Sequence, residues 1–119
     1  MTDTINLTEE LKQFTGTEQW YRNPLFPKYL YTDGVKYLAE QAGAYWLIDY
    51  IFSNQMLPEI KAQEFQVWNI QVNDGRAIIR VEDGNDNLVK KFNLNYTDFP
   101  LKDFSLWFVN NVLMLTSEY

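Results

Sequence analysis

The sequence predicts an α+β protein, with two N-terminal helices packed on one face of an antiparallel meander of about five strands. Two observations predict it. Over most of the first half, apolar residues recur at three- and four-residue steps, the period of a helix, whereas after residue 63 they alternate, the period of a strand. Turn-forming runs then fall at Asn73-Asp74-Gly75, Asp83-Gly84-Asn85-Asp86 and Asn110-Asn111, which space the alternating segments as consecutive hairpins. A chain of 119 residues has room for one hydrophobic core and not for two. Residues 1–119 are therefore read as a single domain, helical with an aromatic loop over 1–63 and sheet over 64–119.

Each element follows from its residues. NLTEELKQF, 6–14, reads as a short helix with Asn6 as cap, Glu9 at the capping-box position and Gly16 after the end. TGTEQWYRNPLFPKYLY, 15–31, is an aromatic loop pinned by Pro24 and Pro27, which must pack on its own domain or meet a partner. Thr32 and Asp33 start the main helix, placed at 34–54, with Val35, Leu38, Ala39, Ala42, Trp46 and Tyr50 on one stripe; Pro58 ends this region. FQVWNIQV, 65–72, is a strand whose alternation slips at Val67-Trp68, the mark of a bulge. AIIRV, 77–81, and LVKKFNLNY, 88–96, follow as strands. A bend over 97–101 leads to SLWFV and VLML, a final hairpin turned at Asn110-Asn111 because asparagine tolerates positive φ.

Composition narrows the chemistry. The chain has no cysteine, which excludes disulfides, thiol nucleophiles and thiolate metal sites. It has no histidine, which removes the commonest general base and any Ser-His-Asp triad. Sixteen acids against ten bases give a net charge of −6, a sign that repels phosphate backbones, so no direct nucleic-acid binding is expected. The same charge suits docking on a basic protein surface. The start, MTDTINLTEE, has neither the basic residues nor the apolar run of a signal peptide, and no window has the length of a membrane span. A cytoplasmic protein without membrane contact is expected.

One residue stands against its surroundings. In AGAYWLIDYIF, 42–52, Asp49 is the single charged group. On a continuous helical wheel it falls inside the stripe of Leu38, Ala42, Tyr45 and Trp46, where an unpaired carboxylate is costly. It must be paired, protonated, or turned to a cavity or partner. Tyr45 and Trp46 one turn before, Ser53 one turn after, and Arg80 or Lys90 from the sheet are the candidate partners. Asp49, Tyr45, Trp46 and Ser53 form one candidate pocket or binding group; Trp20, Tyr21 and Arg22 in the aromatic loop form another. No second acid is patterned to work with Asp49 in catalysis, and Asp83-Gly84-Asn85-Asp86 lacks the length and terminal glutamate of a calcium loop. No cofactor, metal or catalytic residue is expected.

TDGVKYLAEQAGAYWLIDYI (32–51), YTDFPL (96–101) and VLMLTSEY (112–119), with FTGTEQWYR (14–22), together resemble a small bacterial family of unknown function whose members occur in bacteria and their mobile elements. The resemblance runs over nearly the whole chain in matching order. It implies one autonomous domain and a mobile-element setting, and no activity or site residue. The functional expectation is a non-enzymatic protein-interaction module, in its sharper form a mobile-element inhibitor of a host or defence protein. Two alternatives stand beside it: a ligand-binding domain or enzyme with Asp49 in a helix-over-sheet pocket, and a homo-oligomeric subunit whose FSLWFVNNVLML hairpin pairs edge to edge. Neither partner identity nor oligomeric state is written in the sequence.

Overall fold

The computed structural model describes residues 4–119. Helix α1 (Thr4–Leu11) buries Leu7 and Leu11, one turn apart, against the rest of the chain. It begins before Asn6, so Asn6 lies within the helix and does not cap it. It also ends earlier than residue 14, loosening into the tighter bonds Gln13 N–H to Glu10 O and Phe14 N–H to Leu11 O.

The aromatic loop is more ordered than expected. It contains two short antiparallel strands, β1 (Trp20–Arg22) and β2 (Leu30–Thr32), with Tyr21 opposite Tyr31. Between them Phe26 and Tyr29 place their rings 6.5 and 5.4 Å from Phe52, so the segment packs on its own domain.

The long helix expected over 34–54 is two helices, α2 (Asp33–Ala42) and α3 (Tyr45–Ser53). Gly43 between them has φ +61°, a left-handed conformation that glycine reaches without a Cβ penalty, and its N–H closes on Ala39 O. A stripe continuing over an apolar sequence hides this break. After a single 3₁₀ turn at Asn54–Met56, Pro58 opens a fourth short helix, α4 (Pro58–Lys61), because proline suits the first helical position.

The remaining strands are β3 (Phe65–Asn73), β4 (Arg76–Glu82), β5 (Leu88–Leu94), β6 (Asp103–Val109) and β7 (Val112–Leu115). With β1 and β2 they form one sheet in the order β1-β2-β7-β6-β3-β4-β5. The protein is thus α+β, but the sheet has seven strands and is mixed, since β2 runs parallel to β7. β6 and β7 are interior strands, so the FSLWFVNNVLML hairpin offers no free edge for pairing with another copy. The bulge lies on β5, where Val81 and Glu82 of β4 pair with Lys90 and Leu88 and leave Val89 as the extra residue, and not at Val67-Trp68. Val67 and Trp68 simply alternate, one outward and one into the core; the outward face is apolar there, which made the alternation look broken. Asp74 and Gly75 (φ 53° and 72°) and Asn110 and Asn111 (φ 52° and 66°) turn the two tight hairpins with paired positive φ.

Trp68, Ile70, Ile79, Val81, Leu106, Phe108, Leu113 and Leu115 point from the sheet into the core under the helices. A buried carboxamide pair sits among them. Gln55 and Gln66, 3% and 1% exposed, exchange hydrogen bonds of 2.8 and 2.9 Å, and Trp68 Nε1 donates to Gln66 Oε1 at 2.9 Å. Gln66 Nε2 also donates to Ile60 O at 3.0 Å, tying α4 to β3. A polar group this deep is tolerated because its bonds are made.

Candidate functional site

Asp49 sits on the side of α3 away from the buried set Leu47, Ile48, Ile51 and Phe52, one turn from the exposed Tyr45 and Ser53. The break at Gly43 resets the phase of the wheel, which is why a continuous helix put Asp49 in the core stripe. Segment 23–29 covers it. Asn23, 5% exposed, donates from Nδ2 to Asp49 Oδ1 at 2.7 Å and accepts Leu25 N–H on Oδ1 at 2.8 Å. Asp49 therefore holds the aromatic segment onto α3. Several expected partners are engaged elsewhere: Ser53 Oγ donates to Tyr50 O, Arg80 donates to Gln71, and Lys90 pairs with Glu59 at 3.6 Å. Trp46 meets Phe99 edge to face. The inner space between α3 and the sheet, lined by Leu47, Ile51, Trp68 and Leu106 among others, holds no volume that a water molecule can enter, and the cavity of about 270 Å³ that Trp46 and Tyr50 line with Leu94 and Tyr96 does not include Asp49. Asp49 is not at the floor of a helix-over-sheet pocket.

Around it lies a surface of phenols and acids. Tyr21 donates to Asp33 Oδ1 at 2.9 Å and stacks on Tyr31 with ring centroids 5.6 Å apart. Lys36 Nζ lies 4.7 Å over the Tyr21 ring and 3.9 Å from Glu40. The hydrogen bond to Asp33 raises the Tyr21 pKa, with burial and the Asp33 and Glu40 charges adding to it. Burial raises the pKa of Tyr31, helped by Tyr45, Asp49 and Glu40. Burial and then Glu40 raise that of Tyr45. Asp33 moves the other way: the Glu18 N–H lowers its pKa first, against some desolvation, with Tyr21 and the Gln19 N–H adding to the fall. Three phenols and three carboxylates, Asp33, Glu40 and Asp49, thus share a surface that Lys36 borders. Tyr45 is 44% exposed at its border. Trp20, 55% exposed, alternates away from Tyr21 to the other side of β1. Arg22 Nη1 reaches back to Pro27 O at 2.8 Å. The structure brings Asp49, Tyr45 and Tyr21 to one surface and leaves Trp46, Ser53, Trp20 and Arg22 out of it; Tyr31, Asp33, Lys36 and Glu40 complete it and were missed.

The second surface was missed altogether. Among the described residues, the helices cover the face of the sheet that carries its buried side chains, and register sorts the other face into two halves. One half is apolar. Trp107 lies between Met114 and Val67, with Phe65, Val109 and Val112 in the next row. The Phe65, Trp107 and Tyr119 rings meet at 5.2 to 5.8 Å. The other half is polar, with Ser105, Asn69, Arg80 and Lys91 in one row and Asp103, Gln71, Ile78 and Asn93 in the next. The outward positions of each strand were readable from its alternation, but not which strands stand side by side.

Among the described residues, no three acids come together to hold a metal ion, and no helix is long and apolar enough to cross a membrane. A family model described as a family of unknown function, DUF6876, matches residues 5–119. The chain belongs to this family. Comparison with curated proteins and with solved structures gives no match. The segments that carry the DUF6876 resemblance do structural work in this fold. Thr32 caps α2 by accepting Val35 N–H, and its hydroxyl donates to Glu118 Oε1 at 2.6 Å. Gly34 N–H donates to Glu118 Oε2 at 3.0 Å, and a Cβ on Gly34 would come within 2.5 Å of Leu115 and 2.7 Å of Glu118. The TDG and TSEY segments are thus two halves of one joint.

Proposed function

We propose that this chain is a non-enzymatic protein-interaction module that docks through its phenol–carboxylate surface on a basic surface of a partner protein. One observation carries the reading: Tyr21, Tyr31 and Tyr45 share a surface with Asp33, Glu40 and Asp49, beside which Lys36 is held over Tyr21 and near Glu40. Tyrosines contribute contact area at low entropic cost and are enriched at interfaces. The carboxylates add attraction to a cationic partner and speed its approach. The net charge of −6 points the same way. In its sharper form the partner is a host or defence protein and the module an inhibitor carried by a mobile element, covering a surface that otherwise holds an anion.

The test is capture of partners from lysate of the native host by tagged protein, at low and high salt, beside a Glu40→Lys, Tyr45→Ala double variant. Both side chains are exposed, so the variant keeps the fold. One partner that binds wild type, washes off with salt and escapes the variant supports the reading. A partner held equally by both proteins, or indifferent to salt, overturns it.

A further inference from the structure

The chain carries one groove whose chemistry is opposite to its overall charge. Where β3, β4 and β5 lie side by side, away from the helices, a groove of about 500 Å³ opens on the sheet. Its outward positions are Gln71, Asn73, Arg76, Ile78, Asn93 and Asn95. Those six are four carboxamides, one guanidinium and one aliphatic group; Val72, Ala77 and Leu94 complete the lining, and no carboxylate belongs to it, in a chain with sixteen acids. The next row adds two more cations, Arg80 and Lys91, which face each other across β4 and β5. Arg80 Nη1 donates to Gln71 Oε1 at 2.6 Å, joining the two rows. Among the described residues, none of these three cations is in an ion pair. Two acids border the groove: Asp103, whose carboxylate already accepts Asn69 Nδ2 at 2.7 Å, and Asp74 at the hairpin tip.

We infer that this groove binds an extended, acidic peptide segment of a partner protein. A peptide backbone presents N–H donors and C=O acceptors in alternation, and a carboxamide offers both kinds of group. Guanidinium groups recognise carboxylates with two parallel bonds. Ile78 supplies apolar contact beneath. The groove is open and spans three strands, which suits a chain laid across it better than an enclosed small molecule. This site lies on the face away from the phenol–carboxylate surface and stands independently of the role proposed for that surface.

The experiment uses the whole chain and a pool of fluorescein-labelled octapeptides with glutamate at alternate positions and all residues between. Binding is read by anisotropy at low salt, and contacts by the side-chain amide signals of nitrogen-15-labelled protein. The glutamate pool is expected to bind, to shift the amides of Asn93 and Asn95, and to weaken at least about tenfold in Arg76→Ala, since one charge-assisted contact is lost. Arg76 is exposed, so that variant should melt like wild type. Glu40→Lys should leave peptide binding unchanged, which separates failure here from failure of the proposed function. Three results would overturn the inference: no binding of the pool, equal binding of a lysine pool, or tighter binding of an oligothymidylate. Binding of free glutarate as tight as that of the peptides would assign the site to a small carboxylate instead.

Discussion

Glu118 is three bonds in one side chain. Its carboxylate accepts the Thr32 hydroxyl at 2.6 Å, Gly34 N–H at 3.0 Å and Leu115 N–H at 2.9 Å. Thr32, Gly34 and Leu115 are all buried. In Glu118→Ala the threonine hydroxyl can turn, but the two backbone N–H groups lose their acceptor. Each such orphan costs about 1–3 kcal/mol, so the variant should lose about 2–6 kcal/mol. The carboxylate also lies at the start of α2, where a negative charge adds a further ~0.5 kcal/mol. Against a total stability of about 5–15 kcal/mol this is a large fraction. Glu118→Gln keeps one acceptor oxygen but turns an amide toward a donor, so it should fall between wild type and alanine. The assay is urea unfolding followed by tryptophan fluorescence, with the slope checked for constancy. A Glu118→Ala midpoint within error of wild type would refute the joint, as would a glutamine variant less stable than alanine.

Other expectations rest on the same structure. Gln66→Leu should destabilise by about 2–5 kcal/mol, because Gln55 Oε1 and Trp68 Nε1 lose their partners; adding Gln55→Leu should cost less than the sum of the singles, read by a double-mutant cycle. Asn23→Ala should free segment 23–29 from α3, seen as faster amide exchange there, whereas Asp49→Asn keeps an acceptor oxygen and should change the melting temperature little. Gly43→Ala should cost about 1–2 kcal/mol in thermal unfolding, from the left-handed φ at the α2–α3 break. Asp33 has a pKa lowered in the folded protein, so its contribution is present above the unfolded value and is lost as pH falls through the folded one. The stability gap between wild type and Asp33→Asn should therefore be full at neutral pH and close in strong acid. The phenols of Tyr21, Tyr31 and Tyr45 are raised, so in an alkaline absorbance titration they should ionise after the ordinary tyrosines, and this delay should vanish in urea.

The sequence by itself determined what depends on neighbours along the chain. Period and turn residues marked the strands from 65 to 115, and the paired positive φ at Asp74-Gly75 and Asn110-Asn111 follows from residues that tolerate it. Composition excluded thiol and histidine chemistry, because side chains that are absent cannot be supplied by folding. The tertiary structure alone decided the rest. Three-residue strands such as β1 and β2 have too little pattern to show, and they form because β7 lies beside β2. The α2–α3 break rests on one glycine whose left-handed turn leaves no periodic trace. Asp49 looked buried because one wheel was drawn through that break, and its partner Asn23 comes from 26 residues away. The two halves of the open face, and the groove at its polar end, needed strand order as well as alternation. Alternation says which side chains share a face of one strand, while only the register between strands says which of them stand together.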